Sequence, residues 1–161
     1  MTSTSHSAPD SVTAACPSCG RRNRIPVAAS GTPRCGSCRT PLPWLVTATD
    51  ADFTAIVERS PVPVLVDLWA TWCAPCRMVS PAVERATREL AGQLKGVKVD
   101  VDQAPGVAAR FDARSIPTLL ILRNGQVVAR QGPCRRRTWA LRWLLCRMSQ
   151  PRRAGGIAEQ A

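Results

Sequence analysis

The chain has 161 residues, enough for one domain of ordinary size with a small annex but too few for two full domains. Its residues are 45% hydrophobic and 20% charged, which supports a packed core and excludes wholesale disorder. No apolar run approaches the roughly 20 residues of a membrane span, and residues 1–15 lack the basic and apolar regions of a secretory signal. We therefore expect neither a membrane protein nor one exported through a signal peptide.

The net charge of +11 is concentrated at the two ends of the chain. Residues 1–46 carry five basic and one acidic residue, residues 47–131 carry ten and nine, and residues 132–161 carry seven and one. A strongly basic balance can indicate a nucleic-acid partner. Among the 22 basic residues only Lys95 and Lys98 are lysines, and such an arginine bias also suits a GC-rich gene.

The composition divides the chain into four segments. Residues 1–14 are polar and without periodicity, which predicts a disordered tail. Residues 15–46 contain many Cys, Pro, Gly and Arg residues and few large apolar ones. This segment therefore needs a crosslink, such as a metal ion or a disulfide bond, in order to fold. Residues 47–148 are expected to form the main domain, and residues 149–161 a second disordered tail.

The segment 15–46 carries two C-x-x-C pairs separated by fifteen residues, namely Cys16, Cys19, Cys35 and Cys38. This spacing is typical of a four-cysteine zinc ribbon, in which every sulfur lies about 2.3 Å from one ion. Four thiolates complete the tetrahedron and leave no open position, so the expected zinc ion is structural rather than catalytic. Two redox pairs, or disulfides in an oxidising compartment, are the alternatives.

Hydrophobic periodicity in the main domain predicts alternating strands and helices. Residues 61–70 form an apolar run bounded by prolines, which indicates a buried central strand. Apolar residues spaced three or four apart over 73–94 indicate an amphipathic helix. The remaining predicted elements are a strand over 96–101, a short helix over 103–111, a strand over 118–122, a turn at Asn124-Gly125 and a returning strand over 126–130. This order indicates an α/β sheet with a mixed end.

A third C-x-x-C pair, Cys73 and Cys76, lies between the predicted central strand and the predicted helix. A thiol at a helix N-terminus faces unpaired N–H groups and the positive end of the helix dipole, which both stabilise a thiolate. Cys73 is therefore the expected exposed nucleophile, and Cys76, one turn into the helix, is the expected buried resolving thiol. Pro75 suits the first helical turn, where its missing N–H leaves nothing unpaired. This pattern predicts thiol–disulfide exchange.

Asp67 lies inside the apolar run that predicts the central strand. Burial raises the pKa of an isolated carboxyl group, which makes Asp67 a candidate proton acceptor for the resolving thiol. The alternative is that Asp67 faces solvent from that strand.

The motif VDLWATWCAPCRM, followed about forty residues later by RSIPT and then by NG, resembles the thioredoxin family. The ribbon sequence CPSCGRRNRIP in front of it is similar to that of the zinc-binding bacterial members, the thioredoxin 2 type. The resemblance covers about residues 14–131. It implies a thioredoxin fold, that is, a central mixed sheet flanked by helices, preceded by a small four-cysteine zinc ribbon. It also implies a cytoplasmic protein-disulfide reductase.

The resemblance assigns Cys73 as the nucleophile, Cys76 as the resolving thiol and Asp67 as the buried base. It also implies that Trp69 and Trp72 pack around the dithiol. The implied partners are an NADPH-dependent flavoprotein, thioredoxin reductase, and oxidised client proteins.

Pro117, in the dipeptide Ile116-Pro117, matches the cis-proline of the family. In the family this residue faces the dithiol, and the backbone before it pairs with an incoming peptide by strand addition. The substrate-binding residues that the resemblance implies are Trp72, Ala74, Pro75, Ile116 and Pro117.

The chain departs from the family pattern in two places. Ala74 stands where the family usually has Gly, and we expect this to change the redox potential rather than the reaction class. From Gly132 the chain reads GPCRRRTWALRWLLCRM instead of the family's Gly-Ala turn and amphipathic helix. A reading frame shifted to the third base of each codon permits a family-like helix, so we hypothesise a frameshift product. As written, the tail can also be partly helical, and Cys134 and Cys146 have no paired spacing.

Three functions compete at this point. The first is the reduction of protein disulfides by a monomer with a redox-active Cys73–Cys76 disulfide, one structural zinc ion and no organic cofactor. The second is a nucleic-acid-binding module that uses the basic ends, although the ribbon lacks interleaved aromatic residues. The third is a chaperone that releases zinc on oxidation. We favour the first, without a membrane or nucleic-acid partner, because the dithiol, Asp67 and Ile116-Pro117 have no purpose in a mere scaffold.

Overall fold

A computed structural model describes residues 10–132 of the protein. The C-terminal segment for which we hypothesise a frameshift, with Cys134 and Cys146, lies outside the described residues except for Gly132, and so does the expected tail at residues 149–161. Within the described range, no helix is both long enough and apolar enough to cross a lipid bilayer.

The N-terminal part contains a small antiparallel sheet of two strands, β1 (Ser11–Ala15) and β2 (Arg22–Pro26). The turn between them carries the first cysteine pair and ends at Gly20, whose φ of 73° is a conformation that glycine adopts without strain. β1 includes residues 11–14, which the sequence assigned to the N-terminal tail, because these residues pair in register with β2.

A five-stranded mixed sheet forms the centre of the main domain. Its strands are β3 (Trp44–Thr47), β4 (Val64–Trp69), β5 (Lys95–Asp100), β6 (Thr118–Arg123) and β7 (Gln126–Gln131), in the order β3-β5-β4-β6-β7. β4 is central because it pairs in parallel with β5 and antiparallel with β6. A strand covered on both faces needs apolar residues throughout, which explains the continuous run in β4 and makes its Asp67 exceptional.

The main helix, α1 (Ala74–Glu89), begins at the dithiol. Cys73 is its N-cap, and Pro75 lies in its first turn, as the sequence predicted. The helix buries Val83 and Ala86 against the sheet, in agreement with the apolar spacing of the predicted amphipathic helix. The position of α1 therefore fixes both cysteines at the end of the central strand.

Two shorter helical segments connect the strands. A π-helical turn, Thr54–Glu58, lies between β3 and β4, and α2 (Pro105–Arg110) lies between β5 and β6. The π-helical turn and β3 were not predicted, because segments this short give little periodic signal. β3 spans the expected domain limit between residues 46 and 47. The elements predicted over 61–70, 73–94, 96–101, 103–111, 118–122 and 126–130 are confirmed with shifted ends.

The central sheet separates two apolar clusters. The cluster under α1 contains Leu65, Val83, Ala86, Leu94, Leu119 and Ile121. The cluster on the opposite face is shared with the N-terminal part of the chain, because Ile25, Leu42 and Trp44 pack there with strand residues of the main sheet. The N-terminal segment therefore contributes to the core of the main domain.

Lys95 joins the N-terminal segment to the main sheet. Its side chain is fully buried, and its ammonium group donates hydrogen bonds to the carbonyl oxygens of Val27 and Ile56. The ammonium group also lies 4.1 Å from the centroid of the Trp44 ring, whose indole N–H donates to the Pro26 carbonyl at 2.9 Å. Burial lowers the pKa of Lys95 to about 8, so the group remains protonated at neutral pH. Hydrogen bonds from the side chains of Lys95 and Trp44 thus hold the end of β2 against the main sheet.

Candidate active site and metal centre

The dithiol lies where the chain leaves β4 and enters α1. Cys73 and Cys76 form a disulfide bond. The Cys73 sulfur accepts a hydrogen bond from the Cys76 N–H at 3.2 Å. This N–H belongs to the first helical turn, which has no backbone acceptors of its own. The same contact favours negative charge on the Cys73 sulfur when the disulfide is reduced.

The two sulfurs differ in exposure. Cys76 is fully buried, whereas Cys73 is 4% exposed. The prediction that Cys76 is buried is confirmed, and the prediction that Cys73 is exposed is wrong, because both cysteines are buried. Both cysteines pack with Ala70 and with the partly buried Trp69 and Ile116. An incoming sulfur atom therefore has a narrow approach to Cys73.

Exposed residues surround this approach. Trp72 is 65% exposed, and its indole N–H donates a hydrogen bond to the Asp102 carboxylate at 2.9 Å. Ala74 and Pro75 are also exposed, on the first turn of α1. The side chain of Trp72 is therefore held at the surface beside the dithiol rather than packed into the core.

The loop before β6 lies over the dithiol. The carbonyl oxygen of Ile116 is 3.8 Å from the Cys73 sulfur. The Ile116–Pro117 peptide bond is cis, as the resemblance implied, and Pro117 is buried. The structure therefore brings Ile116 and Pro117 to the same site as the two cysteines.

Asp67 is fully buried in the middle of β4, so the alternative of a solvent-facing residue is wrong. Neither of its carboxylate oxygens has a hydrogen-bond partner among the described residues. Burial raises the pKa of Asp67 from its ordinary value near 3.8 to about 6, and the charge of Lys98 opposes that shift. A carboxylate with this pKa is ionised at neutral pH but accepts a proton readily, which suits a general base.

Lys98 is the cation next to Asp67. The two residues are partners in the parallel register of β4 and β5. The Lys98 ammonium group donates a hydrogen bond to the Ser80 hydroxyl oxygen at 3.0 Å and lies 4.5 Å from the centroid of the Trp69 ring. The buried carboxylate therefore has a positive charge beside it that is held from two sides.

The four N-terminal cysteines form one cluster, in which all sulfur atoms lie within 4.8 Å of one another. The sulfurs of Cys16 and Cys38 are 3.5 Å apart, and those of Cys19 and Cys35 are 3.6 Å apart. Four sulfurs placed 2.3 Å from a central ion in a tetrahedron would be about 3.8 Å apart. The cysteines are therefore positioned to bind one metal ion.

The two cysteine turns have the same backbone pattern. The Gly20 N–H donates to the Cys16 carbonyl at 2.9 Å, and the Arg39 N–H donates to the Cys35 carbonyl at 3.0 Å. Gly20 and Arg39 both have a positive φ, of 73° and 63°. In the second turn the Ser37 N–H donates to the Cys35 sulfur at 3.4 Å, a contact that favours a thiolate ligand.

The cysteine cluster does not ionise evenly. Hydrogen bonds with Thr40 lower the pKa of Cys38 to about 6. At Cys19 the N–H of Arg21 favours the thiolate, but the neighbouring thiols of Cys38 and Cys35 oppose it and raise the pKa to about 12. Thiolates at these distances repel one another, so complete ionisation needs a cation among them. This donor set suits zinc, which prefers four thiolate ligands in structural sites.

Sequence reasoning missed the residues that support both sites. Lys98 and Ser80 lie beside the buried carboxylate, and Asn23 and Thr40 contact sulfurs of the cysteine cluster. The sequence did contain a signal for Lys98, because a charged residue is unusual inside a predicted strand of an α/β sheet. Asn23 and Thr40 had no such signal, since polar residues are ordinary in a segment of turns.

A disulfide at the start of a helix, at the end of a buried strand and under a cis-proline loop, is the arrangement of a thiol–disulfide oxidoreductase. The family model for thioredoxin matches residues 44–142. The chain therefore belongs to the thioredoxin family, whose members are protein-disulfide oxidoreductases. The cysteine cluster is consistent with the zinc-binding type of this family.

Individual relatives agree with the family match. A thioredoxin of Haemophilus influenzae is 50% identical over 82 residues, which are 51% of this chain and 77% of that protein. Thioredoxin 1 of Synechococcus elongatus is 51% identical over 80 residues, 50% of this chain and 75% of that protein. Thioredoxin C-2 of Corynebacterium nephridii is 46% identical over 87 residues, 54% of this chain and 81% of that protein. The predicted fold class is confirmed.

The raised pKa of Asp67 predicts a pH-dependent stability difference between the protein and its Asp67→Asn variant. The folded state binds this proton more tightly than the unfolded chain, so the contribution of Asp67 to the free energy of unfolding is largest below pH 4 and is lost as the pH rises through about 6. The variant lacks this loss, so its free energy of unfolding relative to that of the unchanged protein should rise by about 2.5 kcal/mol between pH 4 and pH 7.5. Urea unfolding of both oxidised proteins across this range measures the effect, and parallel pH curves would contradict it.

Proposed function

We propose that this chain reduces disulfide bonds of client proteins by dithiol–disulfide exchange through its Cys-Ala-Pro-Cys sequence, residues 73–76. The observation that carries the proposal is the Cys73 sulfur at the N-terminus of α1, 3.2 Å from a helical N–H donor. A buried carboxylate without a hydrogen-bond partner, Asp67, supports it, because such a group is suited to move a proton.

In the first step the Cys73 thiolate attacks one sulfur of a client disulfide. A bond forms between Cys73 and that sulfur, the client S–S bond breaks, and the other client sulfur leaves as a thiolate that takes a proton from solvent. The N–H contact at Cys73 keeps the attacking sulfur ionised, and the surrounding residues hold it in place.

In the second step Cys76 attacks the Cys73 sulfur. The Cys76 proton passes to the Asp67 carboxylate, which α1 covers on its face of the sheet. The Cys73–Cys76 bond forms, the mixed disulfide breaks, and the client leaves with both of its sulfurs reduced. Two electrons from NADPH then return the disulfide to the dithiol form through the flavoprotein thioredoxin reductase.

The client chain binds beside the dithiol as an extended segment. The backbone at Ile116 and Pro117 pairs with it by strand addition, and Trp72, Ala74 and Pro75 form the exposed surface next to it. Backbone pairing is independent of side-chain identity, so the site accepts many clients. We place this activity in the cytoplasm, where a reductase keeps protein thiols reduced.

In this proposal the cysteine cluster holds one structural zinc ion bound by Cys16, Cys19, Cys35 and Cys38. Zinc supplies folding free energy to a segment that has few large apolar residues. The ribbon then includes the two-stranded sheet that begins at Ser11, and the thioredoxin domain begins with β3 at Trp44. No reaction step involves the zinc ion, because four thiolates leave it no open position.

Insulin reduction with NADPH and thioredoxin reductase tests the activity. The protein should catalyse NADPH oxidation in the presence of insulin, and Cys73→Ser should lower the rate more than 100-fold, because no nucleophile remains. Cys76→Ser should accumulate a mixed disulfide between Cys73 and the client. Cys134→Ser is the matched control for loss of one thiol, and its rate should match that of the unchanged protein.

An unchanged insulin-reduction rate in Cys73→Ser would overturn the proposal. A protein without reductase activity that binds DNA or RNA in a salt-sensitive manner would instead support the nucleic-acid-binding alternative.

Metal analysis of the purified protein tests the zinc assignment. Elemental mass spectrometry should find one zinc per chain, and the paired change Cys19→Ser with Cys38→Ser should abolish it, because two ligands no longer hold the ion. The control Cys134→Ser should retain the zinc. Protein that holds no zinc, or a paired variant that keeps it, would contradict the assignment.

A further inference from the structure

The Lys98 ammonium group lies between the central sheet and α1, with its hydrogen bond to the Ser80 hydroxyl at 3.0 Å. We propose that Ser80 is a positioning residue that holds this ammonium group beside Asp67 and so sets the pH range over which the buried carboxylate takes the proton of the resolving cysteine. The inference rests on the proposed function for its catalytic meaning, but its structural part can be measured without any activity.

The register of the sheet brings Asp67 and Lys98 to the face that α1 covers. Leu65 packs under α1, and Asp67, two residues further along β4, points to the same face. A Cβ atom at Gly96 would lie 2.6 Å from the Thr87 hydroxyl on α1, so β5 also faces the helix at that position. Lys98 follows Gly96 by two residues and is the direct partner of Asp67 across the strands. Its side chain therefore extends between the sheet and α1.

Among the described residues, β5, β6 and α1 border the part of β4 that carries Asp67. β5 presents Lys98, its register partner, and β6 presents the apolar Leu119. On α1, Ser80 accepts the hydrogen bond from Lys98, and the buried Cys76 lies one turn earlier. Because neither carboxylate oxygen has a hydrogen-bond partner among the described residues, the Coulomb field of Lys98 is the main favourable interaction of the ionised form.

The strength of that field depends on where the Lys98 ammonium group is. Lys98 is only partly buried, and its side chain has four rotatable carbon–carbon bonds that allow it to reach solvent. Two contacts restrain it, the hydroxyl of Ser80 and the face of the Trp69 ring at 4.5 Å. Of these, only the Ser80 hydroxyl is a directional hydrogen bond.

The location of Ser80 favours a role for its hydroxyl group. Ser80 lies inside α1, where alanine has the higher helix propensity. The residue is four positions after Cys76, so it lies on the same side of the helix as the resolving thiol. Loss of the hydroxyl group should let the ammonium group move toward solvent, which weakens its field at Asp67.

The test is the pKa of Asp67 in the reduced full-length protein, measured by NMR of carbon-13-labelled aspartate. Asp67→Asn identifies the signal, and Lys98→Met gives the upper limit of the shift. In Ser80→Ala the pKa of Asp67 should rise by about half a unit, less than in Lys98→Met. The acidic limb of the pH profile for insulin reduction should move to higher pH by the same amount. The reason is that a carboxyl group with a higher pKa becomes ionised only at a higher pH.

Two further variants separate position from general stability. Ser80→Thr keeps a hydroxyl group at the same place and should leave the pKa of Asp67 near its original value. Ser60→Ala removes a hydroxyl group that donates to the Val62 carbonyl outside the site, and it should not move the pKa either.

An unchanged or lowered pKa of Asp67 in Ser80→Ala, or an equal rise in Ser80→Thr, would overturn the proposal. Absence of insulin reduction by the unchanged protein would overturn the proposed function and not the NMR result, so the two failures are distinguishable.

Discussion

The site depends on one contact, the hydrogen bond from the Cys76 N–H to the Cys73 sulfur at the first turn of α1. A helix that begins at a cysteine directs its unpaired N–H groups at that sulfur, and these groups favour the thiolate. The rest of the fold fixes this geometry. β4 brings the chain to the end of the sheet, and α1 packs Val83 and Ala86 against that sheet, so the cysteine has no freedom to leave the helix end.

Buried and half-buried charges are the second feature of the chain. A carboxylate at Asp67 and ammonium groups at Lys95 and Lys98 all lie on two neighbouring central strands. Each of these charges would destabilise a core if it had no partner, and the three groups differ in the partners that they have. Lys95 has two carbonyl acceptors and an aromatic face, which makes it a structural link to the N-terminal segment. Asp67 has no hydrogen-bond partner among the described residues, which leaves it able to exchange a proton.

The sequence predicted the central parts of the fold because their signals are local. A helix with regular apolar spacing, a continuous apolar strand and the two kinds of C-x-x-C context can be identified within a few residues. The short strand β3 and the π-helical turn gave no such signal, since tertiary contacts alone define them. The same limit explains why Lys95 was missed, because its partners lie far away in the chain at Val27 and Ile56.

The candidate site was predictable in its cysteines and its carboxylate but not in the groups that tune them. Lys98 reaches Asp67 through the register of the sheet, and Ser80 reaches Lys98 from the helix, which no linear pattern shows. Cys73 is also buried rather than exposed as predicted, and it packs with residues from the end of β4 and from the loop before β6. Burial at a reactive residue depends on the packing of distant segments, which a motif does not contain.

The most direct test of the central claim is the pH dependence of Cys73 alkylation by iodoacetamide in the reduced protein, with the modified residue identified by peptide mass spectrometry. An ordinary cysteine thiol ionises near pH 8.5. The account predicts that Cys73 reaches half of its maximal rate at least one pH unit lower, because the helical N–H groups stabilise its thiolate. A midpoint at or above that of an ordinary thiol would contradict it.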